Sequence, residues 1–210
     1  MSEKHGLYPA QARVLVDALK TMDYDFGSLT EFESELFEDA GVEPPDGWVV
    51  LDEPRLATLS TPDGHKVALV LFPDLPEGED RPSKNLVRKL EKLMAGARED
   101  HDLVLAVSPW GMWPEKDYLN ETEAGPDILL GAGPGMEVQG TFMARDRVFW
   151  VRAYSKGKSI NRIDLMAWPD KADRTWTPDD DTIRAEFGTL RDTVPEDPEV
   201  LDILSGTPGQ

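Results

Sequence analysis

Two short segments of the sequence carry residues that could bind or transform a ligand. Residues 108–113 (SPWGMW) place a serine hydroxyl and two indole rings directly after an apolar run, and residues 131–135 (GAGPG) follow a second apolar run. Parallel strands end at a common edge of an α/β sheet, and ligand-binding loops follow them there. We therefore expect the two segments to lie side by side and to form a candidate binding site.

The first segment offers a nucleophile and an aromatic wall. Ser108 needs a positioned base before its hydroxyl can attack a substrate, and the three histidines of the chain are all distant from it in the sequence. Trp110 and Trp113 could line a ligand, although packed core or lid residues are the commoner role for tryptophan in this position. The segment therefore predicts ligand binding, and no catalytic residue is assigned.

The second segment offers backbone N–H groups that could cradle a phosphate. Its glycines are Gly131, Gly133 and Gly135. However, Pro134 has no N–H to donate, and no Lys-Ser or Lys-Thr pair follows as it would in a P-loop. A tight structural loop is therefore the favoured interpretation.

Charged side chains indicate two further candidate sites. Glu31 and Glu33 belong to a carboxylate cluster, but helical spacing points them in different directions and favours a solvated face. Tyr154 and Lys156 lie in a segment rich in lysine and arginine, residues 145–162, where an anion could bind. Alternation along strands would spread these cations over two faces.

The composition excludes several classes of function. The chain has 210 residues, with 22 Lys+Arg against 41 Asp+Glu, and a formal net charge of −19. Such an acidic protein is a poor partner for nucleic acid or for an anionic membrane. It has no cysteine, so disulfides and zinc–thiolate sites are excluded. Three consecutive aspartates at 179–181 are typical of an acidic helix N-terminus, and we expect neither a metal nor a cofactor.

The sequence also bears on the compartment. No apolar run approaches the roughly 20 residues that span a bilayer, and residues 1–25 lack a signal-peptide pattern. We expect a cytoplasmic protein, or a periplasmic one if an export signal was removed.

Hydrophobic periodicity predicts the elements that position these segments. Helices are expected over 9–22, from a capping box of Ser28 and Glu31 to Gly41, after Ser83, over 114–122, and over about 179–191 and 197–204. Strands are expected over 48–51, 55–60, 66–72, 103–107, 127–130 and within 138–168, with a hairpin turn at TPDGH.

The order of these elements predicts the fold class. Strands that alternate with helices up to residue 130 indicate an α/β protein with parallel pairing, and the later strands indicate an antiparallel end. We expect a layered α/β or α+β fold, with a main domain over 1–168 and an acidic C-terminal arm with short helices over 169–210.

Five segments, in order, resemble the 5′-nucleotidase/UDP-sugar hydrolase branch of the calcineurin-like metallophosphoesterases. HDLVLAVSPWG (101–111) is similar to the family run "aDlVIaLSHlG", and EAGPDILLGAGPG (123–135) is similar to "vpGIDvIlGGHsH". The other matching segments lie at 17–35, 56–72 and 148–165. The resemblance implies a reduced β-sandwich of mixed sheets flanked by helices, near a (seleno)protein group of UDP-sugar-hydrolase-like proteins.

The departures from the family fall on its metal ligands. The Asn-His pair of its GNHE motif is replaced by Glu31 and Phe32, and its other histidines are replaced by Pro109, Gly133 and Gly135. Glycine and proline side chains cannot hold the two cations that such a mechanism needs. The first strands of the family have no counterpart before residue 10, which implies an open sheet edge that a partner or a second copy could cover.

Three functions are compatible with this pattern. The first is a catalytically inactive metallophosphoesterase-like module that binds a small anionic ligand or a protein. The second is a phosphoesterase of altered chemistry, in which Glu31, Glu33 and Ser108 converge. The third is a structural module that forms a homodimer through its open sheet edge.

Overall fold

The computed structural model describes residues 9–154, 158–169, 174–178 and 182–206. Within these ranges it is a mixed α/β protein with five helices and ten strands. In chain order they are α1 (Pro9–Thr21), β1 (Ser28–Leu29), α2 (Glu31–Asp39), β2 (Val49–Val50), β3 (Arg55–Ser60), β4 (Lys66–Leu71), α3 (Lys84–Asp100), β5 (Leu103–Ser108), α4 (Met112–Glu121), β6 (Ile128–Gly131), β7 (Val138–Met143), β8 (Val148–Arg152), β9 (Ser159–Leu165), β10 (Ile183–Thr189) and α5 (Pro198–Ser205).

The chain forms two compact units. One contains Met1–Asp52 together with Asp192–Gln210, and the other is Glu53–Arg191. The predicted border at residue 168 therefore falls inside the second unit. None of the helices in the described ranges has the length and apolar character needed to cross a bilayer.

The first unit is built around a small apolar core. Ala12 and Val16 of α1 pack with Leu29 of β1 and Phe37 of α2, and α5 also packs on α1. The short strands β1 and β2 pair in parallel.

The N-terminus of α2 corrects one prediction from the sequence. The capping box is formed by Thr30 and Glu33, two residues later than the predicted pair of Ser28 and Glu31. Ser28 instead lies in β1, because strand pairing draws it away from the helix. Gly41 follows the end of α2 in the left-handed region, at φ +62°, as expected of a glycine that terminates a helix.

The second unit contains a six-stranded mixed sheet with strand order β3-β4-β5-β6-β8-β7. The four central strands, β4, β5, β6 and β8, run parallel to one another. The two outer strands are antiparallel, and β3 is joined to β4 by the predicted hairpin. The α/β class is thus confirmed. The predicted parallel pairing is found for β4, β5 and β6, whereas β8, which was expected in the antiparallel end, also pairs in parallel with β6.

The two faces of this sheet are covered by different elements. On one face, Leu90 and Met94 of α3 and Leu119 of α4 pack against alternate residues of the central strands. On the other face, Ile163 of β9 and Ile183 of β10 pack against the remaining alternate residues. The unit therefore has three layers: helices, the main sheet and the β9–β10 pair.

The β9–β10 pair corrects a second prediction. Residues 183–189 form a strand that pairs antiparallel with 159–165, whereas a helix was expected over about 179–191. Alternation in IRAEFGT buries Ile183 and partly buries Ala185 and Phe187, which is the pattern of a half-buried strand. The helix expected over 197–204 is confirmed as α5.

Candidate functional site

The structure brings the two candidate segments together at the carboxyl edge of the sheet. Ser108 at the end of β5 is in register with Gly131 at the end of β6, and Gly131 is in register with Arg152 of β8. Beyond the strands, the backbone N–H of Ala132 donates to the carbonyl of Ser108 (2.7 Å), and that of Met112 donates to the carbonyl of Pro134 (2.9 Å). We refer to residues 108–113 and 131–136 together as the carboxyl-edge loops.

Close backbone contact explains two of the glycines in these loops. Gly133 has φ +72°, and a Cβ added there would run into the carbonyl oxygen of Pro109. Gly111 has φ +90°, and its added Cβ would lie 2.7 Å from the carbonyl oxygen of Pro134. The two loops therefore pack closely against each other at Pro109 and Gly133, in agreement with the prediction of a tight structural loop.

Ser108 is enclosed within this packing. It is fully buried, and its hydroxyl oxygen accepts a hydrogen bond from the backbone N–H of Trp110 (3.3 Å). The described histidines lie elsewhere. His101 precedes β5 at the other end of that strand, where its Nε2 lies 2.9 Å from the Thr58 hydroxyl, and His65 stacks on Trp168.

The two tryptophans have different environments. Trp110 is buried against Phe72, with ring centroids 4.8 Å apart, and its indole N–H donates to the carbonyl of Pro73 (2.7 Å). Trp113 is 66% exposed on the first turn of α4. The predicted aromatic wall is therefore divided into one core residue and one surface residue.

A buried ion pair beneath the carboxyl-edge loops was not predicted from the sequence. Glu115 of α4 and Arg152 of β8 are both almost fully buried, and Nη1 of Arg152 donates to Oε2 of Glu115. The same oxygen accepts from the Trp150 indole N–H at 3.0 Å. Among the described residues, Oε1 of Glu115 has no hydrogen-bond partner.

Arg152 also holds the glycine-rich loop directly. Its Nη2 lies 2.8 Å from the carbonyl oxygen of Ala132, 3.1 Å from that of Gly133 and 3.2 Å from that of Pro134. Its Nε donates to the carbonyl of Met136 (3.3 Å). The loop therefore turns its carbonyl oxygens inward to a cation, which is the reverse of a phosphate cradle.

Burial raises the pKa of Glu115 above its ordinary value of 4.5. The bond and charge of Arg152, together with the Trp150 indole and the Ser108 hydroxyl, oppose this effect. Desolvation dominates, because the carboxyl group is withdrawn from water on all sides. Four carbonyl groups around Arg152 stabilise its charge even when Glu115 is neutral.

The remaining predicted site residues are exposed, belong to the first unit or lie outside the described ranges. Tyr154 is 43% exposed two residues beyond β8, and Lys156 lies outside the described residues, as do the aspartates at 179–181. Glu31 and Glu33 belong to the first unit, where the Glu33 carboxylate accepts from the backbone N–H of Thr30 (2.8 Å) and from its hydroxyl (2.9 Å). Glu33 therefore caps α2.

Over the described ranges, no group of three or more His, Asp and Glu side chains is arranged to hold a metal ion. No protein-family model matches the chain, and no curated protein or solved structure is significantly similar to it.

Proposed function

We propose that the chain is a catalytically inactive, metallophosphoesterase-like binding module that binds a protein partner through its carboxyl-edge loops. The layering of the second unit supports the fold part of this proposal. A mixed sheet covered by helices on one face and by a second small sheet on the other is compatible with the reduced sandwich that the resemblance implies.

The main support is the Glu115–Arg152 pair beneath the loops. In an active site, charged groups face the reacting atoms, whereas here both charged groups are buried and paired with each other, and only Oε1 of Glu115 lacks a partner among the described residues. Arg152 fixes the backbone of residues 132–136, and Ser108 is enclosed with its hydroxyl bonded to Trp110. The arrangement holds a surface in shape and presents no nucleophile.

The same contacts favour a protein partner over a small anion. The backbone N–H groups of Ala132 and Met112 already donate to carbonyl groups of the loops. The guanidinium group of Arg152 is committed to Glu115 and to carbonyl oxygens. An anion would have to displace these bonds, at the cost of leaving buried polar groups unpaired.

The last residue of each carboxyl-edge loop has an exposed apolar side chain. Trp113 is 66% exposed and Met136 is 62% exposed. Trp113 follows Met112 and Met136 follows Gly135, and Met112 and Gly135 are in close contact. Tryptophan and methionine are enriched in protein–protein interfaces, and neighbouring exposed apolar side chains mark interaction surfaces.

Site-specific photo-crosslinking in cells tests this proposal. A benzoylphenylalanine at position 113 should give a discrete crosslinked protein, and the added substitution Met136→Asp should remove it. The matched control carries the same group in place of Tyr24, an exposed aromatic residue of the first unit (54%), and should not give that product. Identical products from both positions, or none from position 113, would contradict a partner at this surface.

Hydrolysis is the competing outcome. The purified protein, supplied with Mn²⁺ or Zn²⁺, should give no turnover of phosphomonoesters or phosphodiesters above a matched blank. Turnover that disappears in Ser108→Ala would show that the carboxyl edge is an active site and would overturn the assignment as an inactive module.

A further inference from the structure

A second candidate site lies on the helical face of the same unit, away from the carboxyl-edge loops. It is a groove of about 510 Å³ between the first turns of α3 and the last turns of α4. Its lining includes Arg81, Lys84, Arg88, Glu91, Tyr118 and Glu121. Its volume is within the range of small-molecule sites, which is about 300–1,000 Å³.

Two contacts across the groove fix its width. Near the start of α3, the guanidinium group of Arg81 pairs with the carboxylate of Asp117 on α4 at 2.9 Å. Two turns further along α3, Oε1 of Glu91 accepts from the hydroxyl of Thr122, which follows α4, at 2.9 Å. The groove between these contacts is therefore formed before any ligand binds.

The charges along the groove are segregated. Lys84 and Arg88 place positive charge on its wall near the start of α3, whereas Glu91, Glu121 and Glu123 place negative charge at the other end. Lys84 and Glu91 are seven residues apart on one helix, which at the rise of an α-helix is about 10 Å. A ligand that satisfies both ends must carry opposite charges separated by about that distance.

An unused hydroxyl group lies at this groove. Tyr118 is 3% exposed, and within the described parts of the chain its hydroxyl oxygen has no hydrogen-bond partner. Burial raises the pKa of Tyr118, and the charge of Glu91 adds to this effect, while the charge of Arg98 opposes it. The nearby Thr122 hydroxyl donates to Glu91 instead. A buried polar atom left unpaired in this way costs stability, and a ligand group would satisfy it.

We propose that this groove binds a short zwitterionic peptide, with its carboxylate near Lys84 and Arg88, its ammonium near Glu91 and Glu121, and a peptide group on the Tyr118 hydroxyl. An extended tripeptide is about 10 Å long, which matches the separation of the charges. This proposal uses different residues from the carboxyl-edge surface and does not depend on it.

Titration followed by NMR chemical shifts tests the proposal with trialanine as the probe. Trialanine should bind saturably, with a Kd on the order of 1 mM and shifts confined to α3, α4 and residues 117–124. The matched probe is N-acetyl-trialanine amide, which has the same backbone but no terminal charge, and it should bind at least about tenfold more weakly. Equal binding of the two probes, or no saturable shift with trialanine, would overturn the proposal.

Single substitutions show which residues of the groove contribute to trialanine binding. Lys84→Gln and Glu121→Gln should each weaken trialanine binding by about fivefold, whereas Lys89→Gln, outside the groove on the same helix, should leave it unchanged. Tyr118→Phe should weaken binding by about fivefold while leaving the thermal stability of the free protein equal or higher, because the hydroxyl it removes is unpaired. Tyr24→Phe is the control for the loss of a hydroxyl. Binding unaffected by Tyr118→Phe would contradict the proposed contact.

Discussion

At the scale of single residues, the ion pair of Glu115 and Arg152 determines what the carboxyl edge can do. A buried pair of this kind contributes little net stability compared with apolar residues of similar size, but removing one partner leaves a charge without compensation. Here Arg152 has a second role, since it also binds the carbonyl oxygens of residues 132–134. Loss of the Arg152 side chain should therefore loosen the loops and also leave the Glu115 carboxylate without its ion-pair partner.

A double-mutant cycle on this pair tests that interpretation. Arg152→Met should lower the free energy of unfolding by about 3–5 kcal/mol. Glu115→Leu together with Arg152→Met should cost less than the sum of the two single substitutions, because neither charge is then left alone. Urea denaturation of the four proteins measures the coupling. Strictly additive losses would show that the two side chains do not act as a pair.

The raised pKa of Glu115 gives a prediction with a definite sign. The folded chain holds the proton of Glu115 to higher pH than the unfolded chain does, since burial raises the pKa above 4.5. The stability that this group contributes is therefore present in full below pH 4.5 and is lost as the pH rises through the folded-state pKa.

The comparison of wild type with Glu115→Gln isolates this effect from the other carboxylates. The difference in free energy of unfolding, wild type minus variant, should fall as the pH rises from about 4.5 and then level off. Denaturation at a series of pH values measures it. A difference that grows with pH would mean that the attraction of Arg152 outweighs the desolvation of Glu115.

At the scale of elements, local sequence patterns predicted the secondary structure of those segments whose conformation depends on their own residues. The amphipathic helix after Ser83, the hairpin at TPDGH and the apolar strand predicted over 103–107 are all confirmed. The start of α2 could not be decided in this way. Ser28 and Thr30 are each followed three residues later by a glutamate, and only the pairing of β1 with β2 selects Thr30 as the cap.

Long-range packing also explains why other features were missed. Glu115 follows a helix start, where acidic residues are usually solvated, and only the packing of α4 against β8 shows that it is buried. The strand β10 follows three aspartates and a proline that resemble a helix start, although its alternation could have identified it. The juxtaposition of the two candidate segments was predictable because parallel strands share a carboxyl edge.

The close approach of the carboxyl-edge loops gives a prediction at this scale. Gly133→Ala should destabilise the protein by at least about 1 kcal/mol more than Gly78→Ala. Both glycines have positive φ, at +72° and +84°, but an added Cβ meets Pro109 at position 133 and nothing within 4 Å at position 78. Thermal or urea denaturation compares the two variants. Equal losses would show that the loops do not pack as closely as the structure indicates.

At the scale of the whole molecule, the sequence could not show that α5 packs on α1, because more than 170 residues separate them along the chain. The contact joins two segments of the first unit that are separated along the chain by the residues of the second unit, Glu53–Arg191. The sequence pattern predicts α5 as a short helix but does not show which element it packs against.

The overall charge gives the last prediction. With 41 acidic and 22 basic side chains, repulsion between molecules keeps them apart at neutral pH, and it vanishes near the isoelectric point of about 4.4. Solubility should therefore pass through a minimum close to that pH and recover below it, as measured by light scattering and by the soluble fraction. The double substitution Lys92→Glu with Arg191→Glu, at two exposed positions, should move the minimum to lower pH, because more carboxylates must then be protonated to cancel the charge. A minimum that stays in place would mean that association is driven by a local surface, such as the exposed apolar side chains of the carboxyl-edge loops, and not by net charge.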